Sequence, residues 1–165
     1  MREKIIVIGI GNALRRDDGF GIHVARHIAE MDLPGVTVIE HSGDGTSLMT
    51  IWQDAGLVIV VDASKSDGKP GTMHRFDIDH TTVPFNFMSF STHAFSLAES
   101  IVLSKTLGHA LPPMIVYGVD GYDFHDGEGL SRPVKSKVGE VLIHVMQDIL
   151  TYKNTLTDEK TVRSV

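Results

Sequence analysis

Three short apolar runs constrain the fold of this chain more than any other feature of its sequence. They lie at Ile5–Ile10, Leu57–Val61 and Pro113–Val119, and each has the length of a β-strand. Apolar, largely β-branched residues occupy successive positions, which is typical of strands that are buried on both faces of a sheet. Since 165 residues suffice for one core of ordinary size, the runs predict the centre of a single buried sheet.

The segments between the predicted strands favour helices. After the first strand, Phe20, Val24 and Ile28 recur on one helical stripe. A further helix is expected at Ala94–Leu107, and the last one begins near Ser131. Strands that alternate with helices predict an α/β fold, namely a three-layer α/β/α sandwich of phosphorylase/hydrolase-like type around a mostly parallel, twisted sheet.

Two further expectations complete the predicted architecture. The strand at Gly71–Ile78 follows its neighbour after a short connection, so it is expected to run antiparallel. Residues 1–150 are assigned to a single α/β domain, and the polar residues 151–165 to a frayed C-terminal tail.

Composition narrows the possible function classes. The net charge of -6 provides no basic field for a nucleic acid, which excludes that class as the main partner. The absence of cysteine excludes disulfides, thiolate metal sites and a cysteine nucleophile. No stretch has the features of a targeting signal or a membrane span, so we expect a soluble, cytoplasmic protein with no membrane partner.

The turn after the first strand is a candidate binding site for a nucleotide or a phosphate. In open parallel sheets, ligands bind beyond the carboxyl ends of the strands. Leu14 stands where a dinucleotide fingerprint needs its third glycine, and Asp17 and Asp18 would repel a pyrophosphate. Glu40 could nevertheless take the place of the acid that binds ribose. A nucleotide- or phosphate-binding enzyme therefore stays as an alternative.

Asp18, Asp62 and His93 form a second candidate constellation. Asp18 follows the first strand, Asp62 ends the third, and His93 lies on a segment that returns towards that edge. Capping of the next helix accounts for one of the neighbouring acids Asp17 and Asp18, but not for both. Two carboxylates and one imidazole suit a borderline divalent ion such as Ni²⁺, Zn²⁺ or Co²⁺ and leave coordination positions open.

Six motifs occur along the chain in the order in which a known protein family carries them. They are Gly9-x-Gly11-Asn12-x-Leu14-x-x-Asp17-Asp18-Gly19-x-Gly21, Val60-Val61-Asp62-Ala63, Pro70-Gly71-Thr72, Ser91-Thr92-His93, Tyr117-Gly118-Val119 and Gly127-x-Gly129-Leu130-Ser131. This pattern resembles the hydrogenase maturation endopeptidases, which trim a C-terminal extension from the large subunit of [NiFe] hydrogenases. The likeness extends from Lys4 to Leu150.

The resemblance implies an activating endopeptidase, aspartic-type by residue class, that acts on the large-subunit precursor after nickel insertion. The family's metal-coordinating residues map onto Asp18, Asp62 and His93, which would grip the nickel of the precursor, with no organic cofactor. Many relatives have glutamate at the first of these positions. Many also carry Asp-Gly-Gly-Thr where this chain has Gly43-Asp44-Gly45-Thr46, so Asp44 is assigned a turn or substrate-loop role.

The chemical role of the ion stays open at this point. It could polarise the scissile carbonyl or activate a water molecule, or an aspartate could act as general base while the ion positions the chain. Attack by water is favoured over a covalent nucleophile. A non-catalytic nickel-binding chaperone is the remaining alternative. Phe85, Phe87, Met88 and Phe90 are a candidate docking patch for the large subunit.

Overall fold

The computed structural model describes residues 2–78 and 97–163. Its strands are β1 (Ile5–Ile10), β2 (Val36–His41), β3 (Leu57–Ser64), β4 (Met73–Ile78) and β5 (Met114–Asp120). Its helices are α1 (Phe20–Glu30), α2 (Gly45–Ile51), α3 (Leu97–Thr106), α4 (Arg132–Lys135) and α5 (Val138–Arg163). A 3-10 turn at Arg16–Gly19 leads from the end of β1 into α1.

The five strands form one sheet in the order β2-β1-β3-β5-β4. β1 pairs in parallel with β2 and β3, and β3 pairs in parallel with β5. β4 pairs antiparallel with β5, and this pairing places His74 opposite Gly118. The prediction of a mostly parallel sheet with an antiparallel strand at residues 71–78 is therefore confirmed.

Helices cover both faces of the sheet. On one face, the even-numbered β3 residues Val58 and Val60 pack with residues of α2 and α3. On the other face, the odd-numbered residues Leu57, Ile59 and Val61 pack with residues of α1 and α5. These two hydrophobic layers confirm the predicted three-layer α/β/α sandwich, and they account for the continuous apolar runs of the central strands.

The third strand is longer than its apolar run predicts. Its pairing with β5 continues through Asp62 opposite Gly118 to Ser64 opposite Asp120. Main-chain pairing with β5 therefore sustains the strand beyond the point at which its side chains become polar. Asp62 lies within the strand, and the prediction that β3 stops at this residue is wrong.

The C-terminal helix is also longer than expected. α5 continues to Arg163, so the predicted fraying of the chain after residue 150 is wrong for residues 151–163. The Tyr152 hydroxyl donates a hydrogen bond to the Arg2 carbonyl oxygen at 2.8 Å, which ties this part of the helix to the start of the chain. Within residues 2–78 and 97–163, no helix is both long enough and apolar enough to cross a bilayer.

α1 lies in direct contact with the sheet because glycines face each other there. A Cβ atom on Gly9 would lie 2.2 Å from the Gly21 carbonyl oxygen and 2.6 Å from the Ala25 Cβ. A Cβ atom on Gly21 would lie 2.2 Å from the Val61 carbonyl oxygen and 2.4 Å from that of Ile10. Since no side chain fits at either glycine, the start of α1 rests on the ends of β1 and β3.

Replacing Gly9 by alanine is expected to lower the free energy of unfolding by about 3 kcal/mol, because the added methyl group must push the helix off the strand. Urea-induced unfolding measures this change. Gly139→Ala is the matched control, since a Cβ there meets nothing within 4 Å and alanine favours a helix. Equal losses in the two variants would contradict the close packing.

Candidate active site

The 3-10 turn brings two buried acids to the end of β1. Asp17 is 0% exposed and Asp18 is 2% exposed. The turn folds back on β1, because the Asn12 amide donates to the Asp18 carbonyl oxygen at 3.3 Å. Gly19 is the N-cap of α1, and no side chain caps the 3-10 turn or α1. The capping role expected for one of the two aspartates is therefore wrong.

Asp17 anchors the loop that follows β5. Its carboxylate accepts hydrogen bonds from the Tyr122 and Asp123 amides at 2.8 and 2.9 Å. It also accepts bonds from the amide and the hydroxyl of Ser131, both at 2.7 Å. Sequence reasoning missed this role. The available signal was the glycine-rich loop at residues 121–131, whose main-chain amides need acceptors.

We expect Asp17→Asn to lower the free energy of unfolding by about 2–4 kcal/mol. An amide cannot accept all four hydrogen bonds, and bonds to a buried charged group contribute more than neutral ones. Thermal unfolding of the variant tests this expectation. Asp126→Asn is the control, since its side chain is 99% exposed, and its stability is expected to stay within about 0.5 kcal/mol of the unmodified protein.

Asp18 lines a cleft of about 590 Å³. The turn after β1, α1 and the end of β2 form the walls of this cleft. Its lining residues are Gly11, Asn12, Ala13, Leu14, Arg15, Asp18, Ile22, Arg26, Glu40, His41 and Ser42. The cleft opens at the carboxyl ends of β1 and β2, where open parallel sheets bind their ligands.

Asp62 is a buried acid close to Asp18. It is 8% exposed, and its Oδ1 atom has no hydrogen-bond partner within residues 2–78 and 97–163. Burial raises the pKa of the Asp62 carboxyl well above its ordinary value, and the neighbouring Asp18 raises it further by charge repulsion. The structure therefore brings two of the predicted site residues, Asp18 and Asp62, into electrostatic contact.

His93 lies outside the described residues, as do Phe85, Phe87, Met88 and Phe90 of the candidate docking patch. Within the described ranges, no group of three or more histidine, aspartate or glutamate side chains could hold a metal ion. The placement of His93 beside the two aspartates thus stays a prediction.

The two acids near β2 have local partners. The Glu40 carboxylate receives two hydrogen bonds from the Arg26 guanidinium, at 2.8 and 3.0 Å. The Asp44 carboxylate accepts a hydrogen bond from the Ser47 amide and is the N-cap of α2. Asp44 therefore stabilises a turn, which is one of the two roles expected for it.

We expect Asp62→Asn to raise the free energy of unfolding at pH 7 by about 1 kcal/mol, because it removes a charge that the fold buries beside another. The folded-state pKa of Asp62 lies above its unfolded value, so ionisation costs stability as pH rises above about 4. The stability gained by the Asp62→Asn variant should therefore shrink as pH falls towards 4. Urea unfolding at several pH values measures it, and a loss of stability at pH 7 would contradict the strained carboxylate.

The chain resembles known proteases in its sequence and in its fold. The HycI hydrogenase maturation protease model matches residues 22–148, well over half of the chain. The chain belongs to the hydrogenase maturation protease family.

Individual relatives support this assignment over almost the whole chain. A Methanocaldococcus jannaschii chain, whose name assigns it to the hydrogenase maturation proteases, is 32% identical over 154 residues, which are 90% of this chain and 97% of that one. The hydrogenase expression/formation protein HupD of Rhodobacter capsulatus is 24% identical over 163 residues, which are 97% of this chain and 78% of the relative.

Solved structures of two maturation proteases share the fold. A [NiFe] hydrogenase maturation protease from Thermococcus kodakarensis superposes with a TM-score of 0.67 at 25% identity, covering 90% of this chain and 93% of that one. A hydrogenase maturating endopeptidase from Escherichia coli has a TM-score of 0.72 at 22% identity, with the same coverage of 90% and 93%.

Proposed function

We propose that this protein is an endopeptidase that removes the C-terminal extension of a [NiFe] hydrogenase large-subunit precursor after nickel has been inserted. Membership of the hydrogenase maturation protease family supports the reaction class. The strongest structural support is the buried Asp62 carboxylate beside Asp18, near the cleft at the carboxyl edge of the parallel sheet.

Asp18, Asp62 and His93 bind the nickel ion of the precursor in this proposal. Asp62 Oδ1 lacks a hydrogen-bond partner among the described residues, and Asp18 repels the ionised Asp62 carboxylate. A divalent cation between the carboxylates would replace this repulsion by attraction. Two carboxylates and one imidazole also suit a borderline ion such as Ni²⁺. The chemistry of the residues therefore fits the ion.

Nickel enters the site as part of the substrate. A precursor without nickel lacks the group that the three side chains recognise, so cleavage depends on completed metal insertion. This requirement lets the protease distinguish a mature metal centre from an empty one. We assign the reaction to the cytoplasm, since a chain without cysteine suits a reducing compartment.

Water is the nucleophile in the proposed hydrolysis. The chain has no cysteine for a thiol mechanism, and the site carries two carboxyl groups. An aspartate therefore accepts a proton from the attacking water, which gives the enzyme its aspartic-type class.

The test is cleavage of a purified large-subunit precursor, followed by mass spectrometry. The unmodified protein should shorten the nickel-loaded precursor and leave the nickel-free precursor intact. Asp62→Ala and His93→Ala should lower the rate at least about 100-fold, because each removes a group that binds the ion at the reacting centre.

Two exposed residues provide matched controls for these variants. Asp54→Ala, with a side chain that is 88% exposed, and His109→Ala, on the exposed turn after α3, should cleave at the rate of the unmodified protein. Binding of the precursor without shortening would instead indicate a nickel-binding chaperone. Normal cleavage by His93→Ala would refute the assignment of the third ligand.

A further inference from the structure

A second polar cluster lies on the other side of Asp62, across β5. Its centre is Asp120, which is 3% exposed. The Ser64 hydroxyl donates a hydrogen bond to Asp120 Oδ1 at 2.6 Å, and His74 Nε2 lies 3.1 Å from Asp120 Oδ2. Burial by itself would raise the pKa of Asp120, but these hydrogen bonds outweigh it and lower the pKa. Asp120 is therefore an ionised anchor for both neighbours.

The strand register places His74 and Asp62 at the same level of the sheet, on either side of β5. Gly118 of β5 pairs with Asp62 on one side and with His74 on the other. Asp62 and Ser64 project from the same face of β3, because they are two residues apart in a strand. Ser64 and His74 both contact Asp120, so His74 shares that face.

Asp62 and His74 are separated by one strand of the sheet. Two strand spacings of about 4.8 Å separate their main chains by roughly 10 Å. Gly118 occupies the strand between them, and as a glycine it places no side chain between Asp62 and His74. A peptide segment of the substrate that approaches Asp62 along this face would meet His74 next.

We propose that His74 is a substrate-binding residue of the proteolytic reaction, which contacts the precursor chain beside Asp62. This inference rests on the proposed function. The His74 side chain is 33% exposed, so part of its imidazole ring can contact the main chain of the precursor next to the scissile bond.

Asp120 is the positioning residue of this contact. Its carboxylate orients the imidazole ring, as a hydrogen-bonded carboxylate commonly does for a histidine. The same carboxylate holds Ser64, two residues after Asp62 on β3. Asp120 thereby connects the strand that carries the reacting carboxylate with the strand that carries the substrate contact.

Steady-state cleavage of nickel-loaded precursor by His74→Ala tests the proposal. We expect KM to rise about tenfold while kcat stays within about twofold, because the lost contact binds substrate and transition state equally. Asp120→Asn should raise KM in the same direction by about threefold, since a neutral amide orients the ring less strongly than a carboxylate. His109→Ala should leave both constants unchanged.

The measured constants separate this inference from the proposed function. If the unmodified protein cleaves the precursor and Asp62→Ala does not, an unchanged KM for His74→Ala overturns the role of His74 and leaves the proposed function standing. A lower melting temperature with an unchanged KM would assign His74 a purely structural role and also overturn it. If the unmodified protein fails to cleave the precursor, the proposed function itself is wrong.

Discussion

The contact between α1 and the sheet, made through Gly9 and Gly21, is the constraint on which the candidate site depends. The helix backbone lies where any side chain would collide with the carbonyl oxygens of Ile10 and Val61. This contact holds the 3-10 turn against the ends of β1 and β3. Asp18, at the end of that turn, consequently lies within electrostatic reach of Asp62 on β3.

The candidate site places the carboxylates of Asp18 and Asp62 close together in a part of the fold that strand pairing holds rigid. Asp62 is buried, incompletely hydrogen-bonded and repelled by Asp18. Its strand nevertheless pairs with a strand on each side, and the Ser64–Asp120 hydrogen bond closes the end of the ladder with β5. Strain of this kind persists where packing over-determines the geometry, and it is typical of sites that bind a cation or move a proton.

The pattern of apolar residues predicted most of the architecture, because a central strand that is buried on both faces is apolar at successive positions. The ends of elements were less predictable. β3 continues two residues beyond Asp62, since its pairing with β5 does not depend on side-chain polarity. α5 continues to Arg163 although its last turns are polar, and hydrogen bonds from Tyr152 to the Arg2 carbonyl and from Lys153 to the Pro34 carbonyl hold it to the rest of the fold.

The sequence by itself determined the central strands, the exclusion of thiol chemistry and the resemblance that singled out Asp18 and Asp62. It did not reveal the role of Asp17, which is adjacent to Asp18 and chemically identical to it. Only the tertiary structure decided that one carboxylate anchors the loop after β5 and the other lines the cleft. Likewise, the meeting of His74 with Asp120 depends on strand order. The reason is that these contacts join residues far apart in the chain, and local patterns carry no information about which distant main-chain groups will come together.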